Sequence, residues 1–250
     1  MTAKVAIVTG GSSGMGEAAS RLLSKSGWRV AIVYSRNERQ AEVVAGQCAG
    51  AIAVKCDVAR DADCRKAAAQ VLERYGRIDA LVNNAGTTKF VDHKNLEGLA
   101  AEDFEAIFRV NLIGPFQMIR ACEKALRESR GSIVNVSSLA HLLGTGSSIA
   151  YAASKAALNT MSFSLARALA PEIRVNVVAP GFVRTPWQVA AMGEQGSQEA
   201  ERRYAERTPL KRAPAAEDVA ETILWLLEKG RAMTGQLMYV DAGMHVASPR

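Results

Sequence analysis

Histidine is scarce in this chain and cysteine carries no paired pattern: His93, His141 and His245 stand far apart, and Cys48, Cys56, Cys64 and Cys122 form no CxxC pair. Neither a disulfide framework nor a zinc site with local ligand spacing can be read from them, so chemistry without a metal is expected. No uninterrupted apolar stretch approaches the length of a membrane span. The amino terminus enters an apolar run at once, Val5 to Val8, without the charged, long apolar and small-residue regions of a secretion signal. The expectation is a cytoplasmic protein with no membrane partner. No basic block is interleaved with stacking aromatics, which argues against a nucleic-acid partner. A shift in composition that would mark a linker is also missing, as is any repeat with a period of about twenty to fifty residues.

What is present is a chain of 250 residues, 48% apolar and 22% charged, long enough for one large α/β domain. The formal charge of +6 is moderate, and much of the excess is arginine such as Arg202, Arg203, Arg207 and Arg212. A solvated basic face accounts for it; the other use of such a field is attraction of an anionic cofactor or an acidic partner.

Short apolar runs alternate with amphipathic stretches. Strands are expected at Val5 to Thr9, Val30 to Tyr34, Ile52 to Asp57, Leu81 to Asn83, Ile133 to Ser137, Val175 to Ala179 and Leu237 to Val240. Helices are expected at Gly14 to Lys25 and around Arg39 to Gln47, Asp63 to Tyr75, Glu102 to Leu126, Tyr151 to Ala170 and Asp218 to Glu228. This alternation predicts a doubly wound α/β fold, a parallel sheet covered on both faces with sites at the carboxyl ends of its strands. The least patterned segment, Pro186 to Pro209, reads as a mobile lid with some helix.

Between the first strand and the first helix stands TGGSSGMG, Thr9 to Gly16. Glycines there let the backbone turn tightly and approach a ligand, and the helix start offers unpaired N–H groups to a pyrophosphate. The spacing is not GxGxxG, so a merely tight turn is the competing account. After the second strand, where a dinucleotide site without the extra phosphate places a carboxylate, the chain has Tyr34, Ser35, Arg36 and Asn37. A guanidinium beside neutral donors suits a 2′-phosphate and favours NADP(H) over NAD(H). Arg36 as the start of a solvated helix is the alternative.

The stretch Ser138 to Lys155 ends in Tyr151, Ala152, Ala153, Ser154 and Lys155. On a helix, Tyr151 and Lys155 share a face, and a cation beside a phenol favours its phenolate. Ser138, at the end of an apolar run, can then hydrogen-bond the same substrate oxygen. An ordinary surface helix carrying a tyrosine and a lysine would look the same, since YxxxK recurs by chance.

Taken together, TGGSSGMG, Asp57 with Val58, NNAG at Asn83 to Gly86, Asn111, Ser138, YAASK at Tyr151 to Lys155 and PGFVRT at Pro180 to Thr185 resemble the short-chain dehydrogenases/reductases over nearly the whole chain. The resemblance implies a single Rossmann-like domain with seven parallel strands, residues 1–250, assembled as a homotetramer or homodimer through the two long helices. It makes Tyr151 the general acid or base, with Lys155 lowering its pKa and holding the nicotinamide ribose. Ser138 orients the carbonyl or alcohol, and Asn111 helps hold a water that links Lys155 to solvent. The cofactor positions carried over are Gly10, Ser12, Ser13, Gly14, Met15, Gly16, Ser35, Arg36, Asn37, Asp57, Val58, Asn84, Ala85, Gly86, Tyr151, Lys155, Pro180, Gly181, Val183 and Thr185. Asn83 either braces the central sheet or contacts cofactor, and Thr185 either touches the nicotinamide or pyrophosphate side or caps a helix.

Specificity is expected on three loops, Thr87 to Leu99, Leu139 to Ile149 and Pro186 to Pro209. His141 is a candidate for a polar substrate group, or an exposed loop residue; Trp187 and Met192 are candidates for an apolar roof. The nearest subgroup is that of 3-oxoacyl-acyl-carrier-protein reductases, whose substrate is a carrier thioester. Its basic docking positions are here Ser129 with Arg130, and Pro171 with Glu172, so one basic site is lost. The readings are thus a reductase of small ketones, a carrier-thioester reductase, or a catalytically silent NADP(H)-sensing or scaffold protein. The last sits poorly with an intact Ser138, Tyr151, Lys155 and Asn111. A nucleotide-sugar epimerase or dehydratase would need a longer carboxyl-terminal domain than this chain has room for.

Overall fold

Apolar runs too short for helices and buried on both sides must pair as inner strands, and the computed structural model, which describes residues 3–247, has them do so. The strands are β1 (Val5–Thr9), β2 (Arg29–Tyr34), β3 (Ile52–Lys55), β4 (Ala80–Asn83), β5 (Ser132–Val136), β6 (Arg174–Pro180) and β7 (Leu237–Val240). They form one seven-stranded sheet in the order β3-β2-β1-β4-β5-β6-β7, every pair parallel. The order reverses between β1 and β4, so the loops after those two strands diverge and leave a crevice at their carboxyl ends.

The helices are α1 (Gly14–Lys25), α2 (Glu38–Gly46), α3 (Asp61–Tyr75), α4 (Ala101–Phe108), α5 (Gly114–Ser129), α6 (Ala140–Leu143), α7 (Ile149–Ala168), α8 (Pro186–Arg207) and α9 (Ala216–Glu228). One face of the sheet buries Ile7, Leu81 and Ile133 against Val71, Met118 and Leu126 of α3 and α5. The other buries Val8, Ile32 and Val134 against Leu23 of α1 and Ile223 and Leu226 of α9. Among the described residues no helix is long and apolar enough to cross a membrane.

Boundaries shift from expectation where side chains reach the backbone. Helix α3 begins at Asp61, ahead of Asp63, and the Asp63 carboxylate accepts from the Asp57 N–H at 3.2 Å. Helix α7 begins at Ile149, ahead of Tyr151, because the Ser148 hydroxyl caps it by accepting from the Tyr151 N–H at 3.3 Å. The single helix expected over Glu102 to Leu126 is α4 and α5 joined by a π-helical turn, Arg109–Ile113, that contains Asn111. Pro186 to Pro209, expected to be a lid with some helix, is helical to Arg207 and broken only at Gly193, where φ is 71°.

A polar thread crosses the core. Asn83 Nδ2 donates to Asn135 Oδ1 at 2.9 Å, Asn135 Nδ2 donates to Ser162 Oγ at 2.8 Å, and Ser162 Oγ donates to the Leu158 carbonyl at 2.7 Å. All three side chains are buried, so Asn83 braces the sheet, and the thread fixes the register of α7 on β4 and β5. Asn135→Ala leaves a buried amide donor without its acceptor, and urea denaturation should show a loss of about 2–3 kcal/mol.

Candidate active site

The crevice at the strand ends holds two cavities, one on either side of the glycine turn. Gly10, Ser35, Arg36, Asp57, Val58 and Gly86 line the first, of about 620 Å³. Met15, Ser138, Tyr151, Pro180, Thr185 and Trp187 line the second, of about 670 Å³.

The turn between them is built for close approach. Gly10 and Gly14 have φ of 62° and 52°, which other residues rarely adopt. A Cβ on Gly16 would stand 2.2 Å from the Gly10 carbonyl oxygen, so only glycine lets α1 start this near the strand. Asn84 holds the turn from β4: its Nδ2 donates to the carbonyls of Thr9 at 3.0 Å and Gly10 at 3.2 Å. Thr9 Oγ1 in return accepts from the N–H groups of Asn84 and Ala85, each at 3.0 Å. The Asn84 side chain thus clamps the cradle, while Ala85 and Gly86 line the first cavity.

The cradle, the helix start and a pair of cavities fit a dinucleotide. Arg36 and Arg109 both line the first cavity, and among the described residues neither side chain makes a hydrogen bond or ion pair. Glu38, the carboxylate next along from Arg36, accepts from the Tyr34 hydroxyl at 2.9 Å. Asn37 is not among the residues that line the cavity; its Oδ1 accepts from the Gln40 N–H at 3.1 Å and caps α2. Asp57 Oδ1 accepts from the Ala59 N–H at 3.0 Å. Thr185 stands before α8 without a side-chain cap bond and is buried, with its side chain about a Cβ contact from Gly14. Its hydroxyl therefore belongs to the second cavity and not to a surface cap.

At the second cavity, Lys155 Nζ donates to the Val136 carbonyl at 2.8 Å and lies 5.7 Å from the centre of the Tyr151 ring. The phenol and the ammonium share one side of α7, as their spacing predicts. Burial pushes the Tyr151 phenol up to about 12, with Ser138 acting in the opposite sense, and pushes Lys155 down to about 8. The expected lowering of the phenol by Lys155 is not seen; desolvation decides the direction, with Ser138 as the opposing influence. Tyr151 stays protonated at neutral pH, the form that donates a proton.

Asn111 is fully buried, and its side chain is already engaged: Nδ2 donates to the Thr87 carbonyl at 2.9 Å and Ser154 Oγ at 3.0 Å, and Oδ1 accepts from the Thr87 N–H at 2.8 Å. That side chain ties the loop after β4 to α7, and its two donors are not available to a water. His141 is the clearest departure from expectation. Its Nδ1 donates to the Ser138 carbonyl at 2.6 Å, its ring stacks on Tyr239 at 5.8 Å, and it does not line the second cavity. Half-buried on α6 beside Tyr239 of β7, it is not an exposed loop residue.

Among the lining residues that the sequence did not single out are Arg109, Phe90, Tyr204 and Met244. Phe90 lies on a loop already marked for specificity, so its neighbourhood was legible. Arg109 points into the first cavity's lining from a π-turn that no 3.6-residue period describes.

Known proteins bear on this geometry. A family model described as enoyl-(acyl carrier protein) reductase matches residues 10–245. A Streptomyces violaceoruber protein named as ketoacyl reductase 2 of the granaticin polyketide synthase is 38% identical over 250 residues, 98% of this chain and 97% of its own. The 3-oxoacyl-[acyl-carrier-protein] reductase of Mus musculus is 36% identical over 245 residues, 97% of this chain and 98% of its own. A crystal structure from Burkholderia xenovorans, titled as that of a short-chain dehydrogenase/reductase, superposes with a TM-score of 0.91 at 41% identity, covering 99% of this chain and 100% of that one.

The burial of Lys155 makes a pH prediction. Its folded-state value of about 8 lies below its ordinary 10.5, so between these the unfolded chain binds more protons and stability rises with pH. Relative to Lys155→Met, wild-type unfolding free energy should therefore increase by on the order of 3 kcal/mol as the pH is raised through that window, measured by urea titrations at pH 7, 8.5 and 10.

Proposed function

Because the chain belongs to the short-chain dehydrogenases/reductases, oxidoreductases acting on CH–OH and keto groups, we propose that it reduces a ketone to a secondary alcohol with NADPH, or runs the reverse reaction, using Tyr151 as general acid or base. The observation that carries this reading is the meeting of Ser138, Tyr151 and Lys155 beside a cavity whose lining includes Met15 of the glycine turn. A bound nicotinamide supplies the hydride; the protein's part is positioning, proton delivery and stabilisation of charge on the oxygen.

Ser138 and Tyr151 would hold the carbonyl oxygen, and Tyr151, protonated at neutral pH, would give it the proton. Lys155, largely cationic at neutral pH with its value near 8, stabilises the phenolate left behind. The residues that would hold the dinucleotide are the Gly10 to Gly16 turn, Asp57 and Val58 on the adenosine side, and Val183 and Thr185 toward the nicotinamide. The Arg36 and Arg109 side chains, without a partner among the described residues, support a 2′-phosphate and hence NADP(H) over NAD(H).

Helix α8 fits the part of a lid, with Trp187 over the cavity and Gly193 as the break in the helix. Assembly as a homodimer or homotetramer is supported by Ile113, Phe116 and Phe163, large apolar side chains exposed on the two long helical segments. The names of the relatives favour a second reading, a carrier-protein thioester as substrate. Against it, the docking position at Pro171 and Glu172 offers a carboxylate, paired with Arg127 at 2.6 Å, and only the other position, with Arg130, is basic.

Two measurements test the reading. Tyr151→Phe should lower kcat by a factor on the order of 10²–10⁴ with little change in the dissociation constant of NADPH; near-normal turnover would refute it. Arg36→Ala should cut the ratio of kcat/KM for NADPH over NADH by about tenfold, the loss of a charge-assisted phosphate contact.

A further inference from the structure

The second cavity carries a pattern that proton transfer does not require. Phe90, Leu143, Trp187 and Met192 are 42%, 44%, 38% and 37% exposed, and all four line this one cavity. Large apolar side chains left in solvent singly are ordinary; four around one opening are a surface that something apolar covers. Three of the rings run in sequence from the catalytic phenol outward. Tyr151 lies 6.0 Å from Trp187 at 60°, and Trp187 lies 6.1 Å from Phe90 at 66°.

Beside the Tyr151 ring the lining is flat. Gly146 has φ of 110°, and a Cβ there would fall 3.8 Å from Tyr151 Cδ1 and 3.2 Å from the Ala140 Cβ. A glycine and an alanine therefore leave one side of the phenol without a projecting side chain, while the aromatic row bounds another. The charged lining residues, Asp92 and Arg207, are both exposed and belong to the mouth. A polyhydroxylated substrate would leave hydroxyls facing Leu143, Trp187 and Met192 without partners, which is the arrangement buried polar groups avoid.

We propose that this cavity selects ketones carried on a flat apolar ring system of about two fused rings, and that Trp187, flanked by Phe90, is the residue that makes the selection. The volume of about 670 Å³ is of the order that encloses a drug-sized molecule, and it must hold the reactive end of the dinucleotide as well, which limits the ring system. The inference rests on the reading of the site as a ketone reductase, and it adds the chemical class of the ketone.

The test compares 2-tetralone, 2-butanone and dihydroxyacetone with NADPH in excess, following loss of NADPH absorbance. The expected kcat/KM for 2-tetralone exceeds that for dihydroxyacetone by at least a hundredfold. Trp187→Ala and Phe90→Ala should each lower the ratio of 2-tetralone to 2-butanone, by about tenfold for Trp187→Ala and mainly through KM, whereas Trp187→Phe retains most of it. A preference for dihydroxyacetone, or a Trp187→Ala variant that slows every ketone by the same factor, would overturn the inference and leave ketone reduction standing. If no ketone is turned over, the reductase reading fails, and calorimetric titration of 2-tetralone into the NADPH-loaded protein decides the rest. Binding that weakens at least tenfold in Trp187→Ala upholds the ring site, and absence of binding overturns it.

Discussion

A buried ammonium holds the arrangement together. Lys155 is 4% exposed, with a carbonyl from the end of β5 as its hydrogen-bond partner, and placing a cation there is unfavourable unless something else requires it. The contact ties α7 to the strand that leads into Ser138. Because Tyr151 precedes Lys155 by four residues, the same contact sets where the phenol lies. Ser137 adds to the tie by donating from its hydroxyl to the Lys155 carbonyl at 3.3 Å. Desolvation then acts on both titrating groups, keeping the phenol protonated and making the Lys155 ammonium a stronger acid than that of a surface lysine.

Around that contact, asparagine does the positioning. Asn84 fastens the glycine turn to β4, Asn111 fastens the loop after β4 to α7, and Asn83 with Asn135 fastens the sheet to α7. An amide presents donors and an acceptor in one plane, so each can satisfy two backbone or side-chain partners from different elements without carrying a charge into the core. The site is thereby held by fixed dipoles, which need no rearrangement when charge develops on a substrate oxygen.

The dinucleotide region and the substrate region differ in how they are made. The first joins the glycine turn to charged side chains such as Arg36 and Arg109 near the sheet ends; the second is made largely of loops and a broken helix, α8, with apolar side chains at one opening. Such a division lets the reaction stay constant while the substrate changes, since loops can vary without disturbing the sheet.

Much of this was legible along the chain. Apolar runs of strand length separated by amphipathic stretches could form only a sheet covered on both faces, and Tyr151 with Lys155 could share a volume only on a helix. Glycines at positions 10, 14 and 16 spoke for a close backbone approach, and a resemblance resting on motifs in order from Thr9 to Thr185 supplied the family. What the chain could not disclose was which of two roles a polar side chain takes. Asn37 caps a helix, Asn111 clamps a loop, and His141 turns toward Tyr239 and away from the cavity. The reason is physical: amides and imidazoles bond whatever backbone group or ring comes within about 3 Å, and that depends on neighbours distant in sequence. The same holds for Phe90, Tyr151 and Trp187, which meet only once three separate segments have been brought to one end of the sheet, so the aromatic row belongs to the tertiary structure alone.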